Sequence, residues 1–151
     1  MTRDGSETPP GETDLALMLR TLRPRLNHGL FALVTVAGQL PDGALEAAAA
    51  SVREQEGMSL LLPAEAAIRL GFTASFHCRW ITLDVHSSLA AVGLTATVAT
   101  ALAQHAISCN MVAGFHHDHL LVPEADAARA MSVLEQLAAG RRPAFDSPGN
   151  S

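Results

Sequence analysis

Side chains able to do chemistry are few in this chain, and most lie in its second half. The densest group is His116-His117-Asp118-His119, whose imidazole and carboxylate groups are the usual ligands of a divalent transition metal. In extended backbone His117 and His119 share one face and His116 and Asp118 the other, so at most two converge. A closed site then needs further ligands from His86, His77 or a second chain; the alternative is a polar turn in which Asp118 supports the backbone. Cys78 and Cys109 have no CxxC partner and read as buried thiols of a reducing compartment rather than a bridge or zinc site. Cys109 and His105 fall on different elements, and no GxSxG, phosphate-cradling glycine loop or framed carboxylate pair is present. No catalytic residue, resident metal or cofactor is therefore expected, and the chain is not read as an enzyme.

A second constellation is suited to binding. Ser87, Ser88, Val92, Gly93 and Leu94 form a loop running into a helix, where backbone N–H groups and a partial positive charge favour a carboxylate. Serine hydroxyls add donors, and Gly93 lets the backbone approach a ligand closely. Asn110, on the strand after that helix, offers both a donor and an acceptor, which suits an α-amino group or a neutral polar side chain. The structural alternative makes Ser87 or Ser88 an N-cap, Gly93 a packing glycine and Asn110 a strand residue bonded to backbone.

Composition narrows the field further. The 151 residues are 48% hydrophobic and 17% charged, with a formal net charge of −5 and no lysine at all. Scattered arginines give no continuous basic face for a phosphate backbone, which argues against nucleic acid as a partner. The start, MTRDGSETPPGETD, is polar and acidic where an export signal has a cationic start and an apolar stretch, so the expected location is cytoplasmic. From Ser87 to His117 no Asp, Glu, Lys or Arg occurs. That run is too rich in Ser, Thr, Gln and His to span a membrane and reads as a helix and strand buried on several sides, including against a partner chain.

The elements that must position these groups follow from periodicity. Residues 1–11 and 141–151 are Pro-, Gly- and Ser-rich tails without apolar pattern, expected to be disordered. Asp14 caps a helix through about Arg23, with Pro24 ending it. Phe31 to Ala37 is a strand, Ser51 to Leu62 a hairpin turning near Gln55 to Gly57, and Ala47 to Ala50 is open between helix and loop. Pro63 opens a short helix that Gly71 closes. Phe76 to Val85 is a strand with period-two alternation. A helix from Leu94 to His105, a strand from Ile107 to Phe115, a turn, a strand from His119 to Val122 and a helix ended by Gly140 complete the chain. The second half thus reads β-α-β-β-α, one strand short of a ferredoxin-like unit. The expected fold class is α+β, with two such halves, 12–75 and 76–140, joined by a shared or exchanged strand.

The segment HSSLAAVGLTATVATALAQHAISCNMVAGFHHDHLLVP (His86 to Pro123), with VREQEGMSLLLP (Val52 to Pro63) in the first half, resembles the ACT domain. It is most similar to small bacterial stand-alone ACT-type proteins, and more distantly to the regulatory domains of aspartate kinases and to arginine sensors. The resemblance implies a non-catalytic regulatory module that pairs as a homodimer, binds a small effector, usually an amino acid, and reports it to a regulated protein. It also implies ligand-binding positions at Ser87, Ser88, Val92, Gly93 and Leu94, and at Ser108, Cys109, Asn110 and Met111. Two departures point to a neutral effector: the common Pro-Gly before the helix is Val92-Gly93, and the acidic residue of lysine-responsive relatives is Asn110. The competing readings are an ACT-type interaction module without a ligand and a metal-binding histidine turn.

Overall fold

The computed structural model describes residues 14–85 and 91–141. Asp14 caps α1 (Leu15–Thr21) by accepting from the Leu17 amide at 3.0 Å. Met18 and Leu22 from this segment are fully buried. The helix ends two residues earlier than its sequence suggests, because Arg23–Leu26 is a strand, β1. Pro24 is tolerated there because β1 pairs on one side only, with β5, so its missing N–H breaks no central ladder.

The remaining elements are β2 (Phe31–Val36), α2 (Ala44–Ala47), β3 (Ala50–Glu54), β4 (Gly57–Pro63), α3 (Ala64–Arg69), β5 (Phe76–Asp84), α4 (Leu94–Gln104), β6 (Asn110–Ala113), β7 (Asp118–Pro123) and α5 (Ala127–Ala138). A 3₁₀ turn at Glu124–Asp126 leads into α5. The alanine run thus divides, with Ala47 ending a helical turn and Ala50 opening a strand. The expected second-half strand shortens to Asn110–Ala113. Ile107 packs into the core instead.

Among the described residues the strands form one antiparallel seven-stranded sheet in the order β3-β4-β2-β5-β7-β6, with β1 beside β5. The first half of β5 pairs with β2 through Phe76, His77 and Cys78, and its second half pairs with β1 from Ile81 to Asp84. β2-α2-β3-β4-α3-β5 is therefore a complete βαββαβ unit. The second unit begins on the same β5, runs through β7, and takes its fourth strand from β1 near the N-terminus. The strand that each half lacks in sequence is supplied by the other, and the strand order within the two units is the same.

Alternation along β5 divides the side chains between two faces. Ile81 and Leu83, with Leu120 and Val122 of β7, pack under α1, α4 and α5. In the first unit Ala32, Val34, Leu60 and Leu62 pack with Ala44 and Ala67 of α2 and α3. Leu61, Cys78, Trp80 and Leu121 form a third cluster on the opposite face. There the ring of Trp80 lies 6.0 Å from Phe31 and 4.7 Å from His119. Among the described residues no helix is long and apolar enough to cross a membrane.

Candidate functional site

The end of the sheet where β5 stops carries a cleft of about 190 Å³. One wall is Ala91, Gly93, Leu94 and Thr95; the other is Ala113 to Asp118, the turn joining β6 to β7. Gly93 is the N-cap of α4 in left-handed backbone, φ +101°, which glycine adopts at little cost. Among the described residues no side chain caps this helix. The first intrahelical bond runs from Thr97 N–H to Gly93 C=O at 2.9 Å, so the N–H groups of Leu94, Thr95 and Ala96 precede it at the positive end of the helix dipole.

The facing turn is shaped by Gly114. Its N–H donates to the His117 carbonyl at 2.9 Å, and a Cβ on it would stand 2.8 Å from that oxygen and 3.1 Å from His119 Nε2. Asp118 pairs in register with Leu83, whose side chain faces the helices, and so lies on the helix side of the sheet. His117 turns toward the opposite side, with Nε2 4.0 Å from Asp84 Oδ1. Its Nδ1 is buried and has no hydrogen-bond partner among the described residues. Arg25 Nε and Nη2 grip the Asp84 carboxylate at 2.8 and 3.2 Å. Hydrogen bonding from Arg25 holds the Asp84 carboxyl below the usual carboxylate range, against a smaller opposing effect of burial. His119 lies deeper, its pKa lowered first by burial and then by the neighbouring charge of His117.

The sequence-derived candidates separate into three groups. Gly93 and Leu94 line the cleft, while Val92 stands beside it, 83% exposed. Ser87 and Ser88 lie outside the described residues, as does His86. Ser108, Cys109, Asn110 and Met111 are not part of the cleft wall. Cys109 and Met111 pack toward the helix-side core, with Cys109 Sγ 3.8 Å from Met111 Sδ. Asn110 is exposed and pairs with Leu121, which places it on the helix-free face. Within one chain, therefore, the start of α4 meets the β6–β7 turn and not the beginning of β6.

The histidine turn, a separate metal candidate by sequence, contributes His116, His117 and Asp118 to the second wall of the same cleft. The available signal was hairpin geometry: a turn after β6 returns the chain beside the end of β5, where α4 begins. Among the described residues no three His, Cys, Asp or Glu side chains converge on one point. Cys78 is fully buried and its thiol pKa is pushed up to about 11, and burial raises that of Cys109 as well, so neither is an activated nucleophile.

Two four-stranded units fused through a common strand, each with its helices on one face, define a tandem ferredoxin-like protein. ACT domain family models match residues 10–79 and 75–136. A protein of unknown function from Vibrio cholerae, described as a possible transport protein, is 43% identical over 82% of this chain and 95% of its own, with a TM-score of 0.74. The chain belongs to the ACT domain family. Its fold is also shared with an Agrobacterium tumefaciens protein (17% identity, 78% of this chain and 89% of the other, TM-score 0.56). The ligand-free regulatory subunit of Thermus thermophilus aspartate kinase has it too (10% identity, 76% and 95% coverage, TM-score 0.56). No functionally curated protein matches the sequence.

Proposed function

We propose that this protein is a non-catalytic regulatory module that binds a small neutral amino acid in the cleft between the start of α4 and the β6–β7 turn. The observation that carries the reading is the pairing of opposite chemistries across that cleft. The N–H groups at the start of α4 suit a carboxylate, and the Asp118 carboxylate on the other wall suits an ammonium group. A zwitterion satisfies both walls at once, whereas an anion without an amine meets Asp118 with like charge. At about 190 Å³ the cleft is smaller than the roughly 300–1,000 Å³ of drug-sized sites, which favours a small effector.

The protein acts as a homodimer in this proposal, and cytoplasmic location remains part of it. Two edges of the sheet are blunted: β1 carries Pro24 between two arginines, and β3 ends in Arg53-Glu54. The β6 edge, Asn-Met-Val-Ala, has neither charge nor proline and is the edge suited to a second copy. Such pairing would bring Ser108 to Met111 beside the neighbouring subunit, so the sequence-derived strand residues contribute across the dimer. The division into halves 12–75 and 76–140, the first completed by β5 and the second by β1, belongs to the same reading.

The test is a thermal-shift panel of dialysed protein against each proteinogenic amino acid. A true effector at a hundred times its dissociation constant adds about 2.7 kcal/mol, a rise of roughly 5–10 °C for this chain length. A rise confined to one or two amino acids and lost in Asp118→Asn supports the proposal. A flat panel at millimolar concentrations rejects it. The second reading, an interaction module without a ligand, then draws on the exposure of Val92 (83%) beside the cleft and Phe115 (68%) on its turn wall.

A further inference from the structure

The α4 wall of the cleft touches the N-terminal segment directly, and the turn wall reaches it through Asp84. On the α4 wall, a Cβ built on Gly93 would lie 3.1 Å from Leu15 Cδ2, so the first side chain of α1 sits directly over the helix start. On the turn wall, His117 faces Asp84 at 4.0 Å, and Asp84 is gripped by Arg25 of β1. Arg25 in turn donates from Nη1 to Asn27 Oδ1 at 2.7 Å, and Asn27 Nδ2 donates to Thr82 Oγ1 at 2.8 Å. Leu15 and Arg25 thus stand near the two ends of one continuous segment, pinned in its middle by the fully buried Met18 and Leu22.

The ends of this segment are its weak points. Leu15 is only partly buried, and β1 is a four-residue edge strand containing a proline. The Arg25–Asp84 pair is half exposed on the arginine side, and exposed ion pairs contribute little to stability. Elements with few buried contacts and an open edge are those that open locally ahead of global unfolding.

We propose that the α1–β1 segment, residues 15–26, reports occupancy of the cleft. An effector that bridges the two walls fixes Gly93 beneath Leu15 and His117 beside the Asp84–Arg25 pair. It thereby tightens the docking of the strand that completes the second unit. Arg25 and Leu15 are positioning residues here, and neither lines the cleft. By linkage the coupling is reciprocal, so loosening the segment weakens effector binding by the same factor. This inference rests on the cleft being the effector site.

Amide hydrogen exchange on the full chain, with and without the twenty proteinogenic amino acids together at about 1 mM each, tests it. The expected result is at least about threefold slower exchange across residues 15–26, with the β3–β4 hairpin unchanged. In Leu15→Ala and Arg25→Ala the slowing is lost while the mixture still raises the melting midpoint. A raised midpoint without slowing at 15–26 in the wild-type protein overturns the relay and leaves the binding reading standing. An unmoved midpoint overturns the binding reading itself, and the mechanical link is then decided on the free protein by Gly93→Ala. About threefold faster exchange in the first turns of α1, with the β3–β4 hairpin unchanged, upholds the link, and unaltered exchange there removes it.

Discussion

His119 Nδ1 lies 3.0 Å from Thr82 Oγ1, across the pair of strands that carries both the core and the cleft. Thr82 is only 2% exposed, and its oxygen already accepts from Asn27 Nδ2 at 2.8 Å. The contact joins His119 to a hydroxyl that is already hydrogen-bonded, with donor and acceptor fixed by the imidazole tautomer.

Stability should depend on pH through this residue. Burial lowers the folded-state pKa of His119, so between that value and the unfolded value near 6.5 the unfolded chain binds more protons. The sign is that stability falls as pH drops below about 6.5 and levels off beneath the folded pKa. Urea melts across pH 5 to 8 should show this slope, and His119→Gln should flatten it. An unchanged slope in the variant would assign it to other histidines.

Ala106 is a site for a stabilising change. It has φ +55° immediately after α4, and its surroundings form a Schellman motif. Ile107 N–H donates to Leu102 C=O and Ala106 N–H to Ala103 C=O, each at 3.0 Å, with Ile107 and Leu102 packed in the same core. An L residue is strained in that conformation, so Ala106→Gly should stabilise by about 1 kcal/mol. For this chain length the midpoint should rise by roughly 2–4 °C, readable by calorimetry.

Gly57 should tolerate no side chain. Its φ is +149°, and a Cβ there would stand 2.2 Å from the Val36 carbonyl oxygen on the neighbouring strand. Gly57→Ala must therefore displace β2 from β4 and is expected to cost about 3 kcal/mol or more, measured by chemical denaturation. Gly29→Ala is the control: it has a positive φ, +87°, with open space around it, and should cost less.

The two thiols should differ in reactivity. Cys78 is fully buried with its pKa raised to about 11, while Cys109 is half-buried near the β6 edge. Native protein at pH 8 should titrate one thiol with a disulfide reagent, slowly, and denatured protein two. Cys109→Ser should remove the native signal. Rapid reaction of Cys78 would show that the β2–β5 junction opens.

Much of the fold was legible because it rests on short-range rules. The alternation of Ile81, Leu83 and Val85 marked β5, the Gln55 to Gly57 turn marked the β3–β4 hairpin, and the Pro63 and Gly71 signals bounded α3. β1 was not legible, since Pro24 reads locally as a helix stop and only the partner β5 makes Arg23–Leu26 a strand. The candidate site divided in the same way. Gly93 and Leu94 were found from helix-start chemistry, whereas Asp118 and His117 gain their meaning from the wall opposite them.

The sequence by itself determined the β-α-β-β-α order of the second half and the helix start at Gly93 and Leu94. These follow from periodicity, capping and side-chain chemistry, which act over a few residues. Only the tertiary structure decided that one strand serves two units, that a strand near the N-terminus completes the second, and that the histidine turn closes the cleft. Those are pairings between residues far apart in the chain, Arg25 with Asp84 and Asp84 with His117 among them. Their partners are chosen by which edges and faces remain unburied once the local elements pack together.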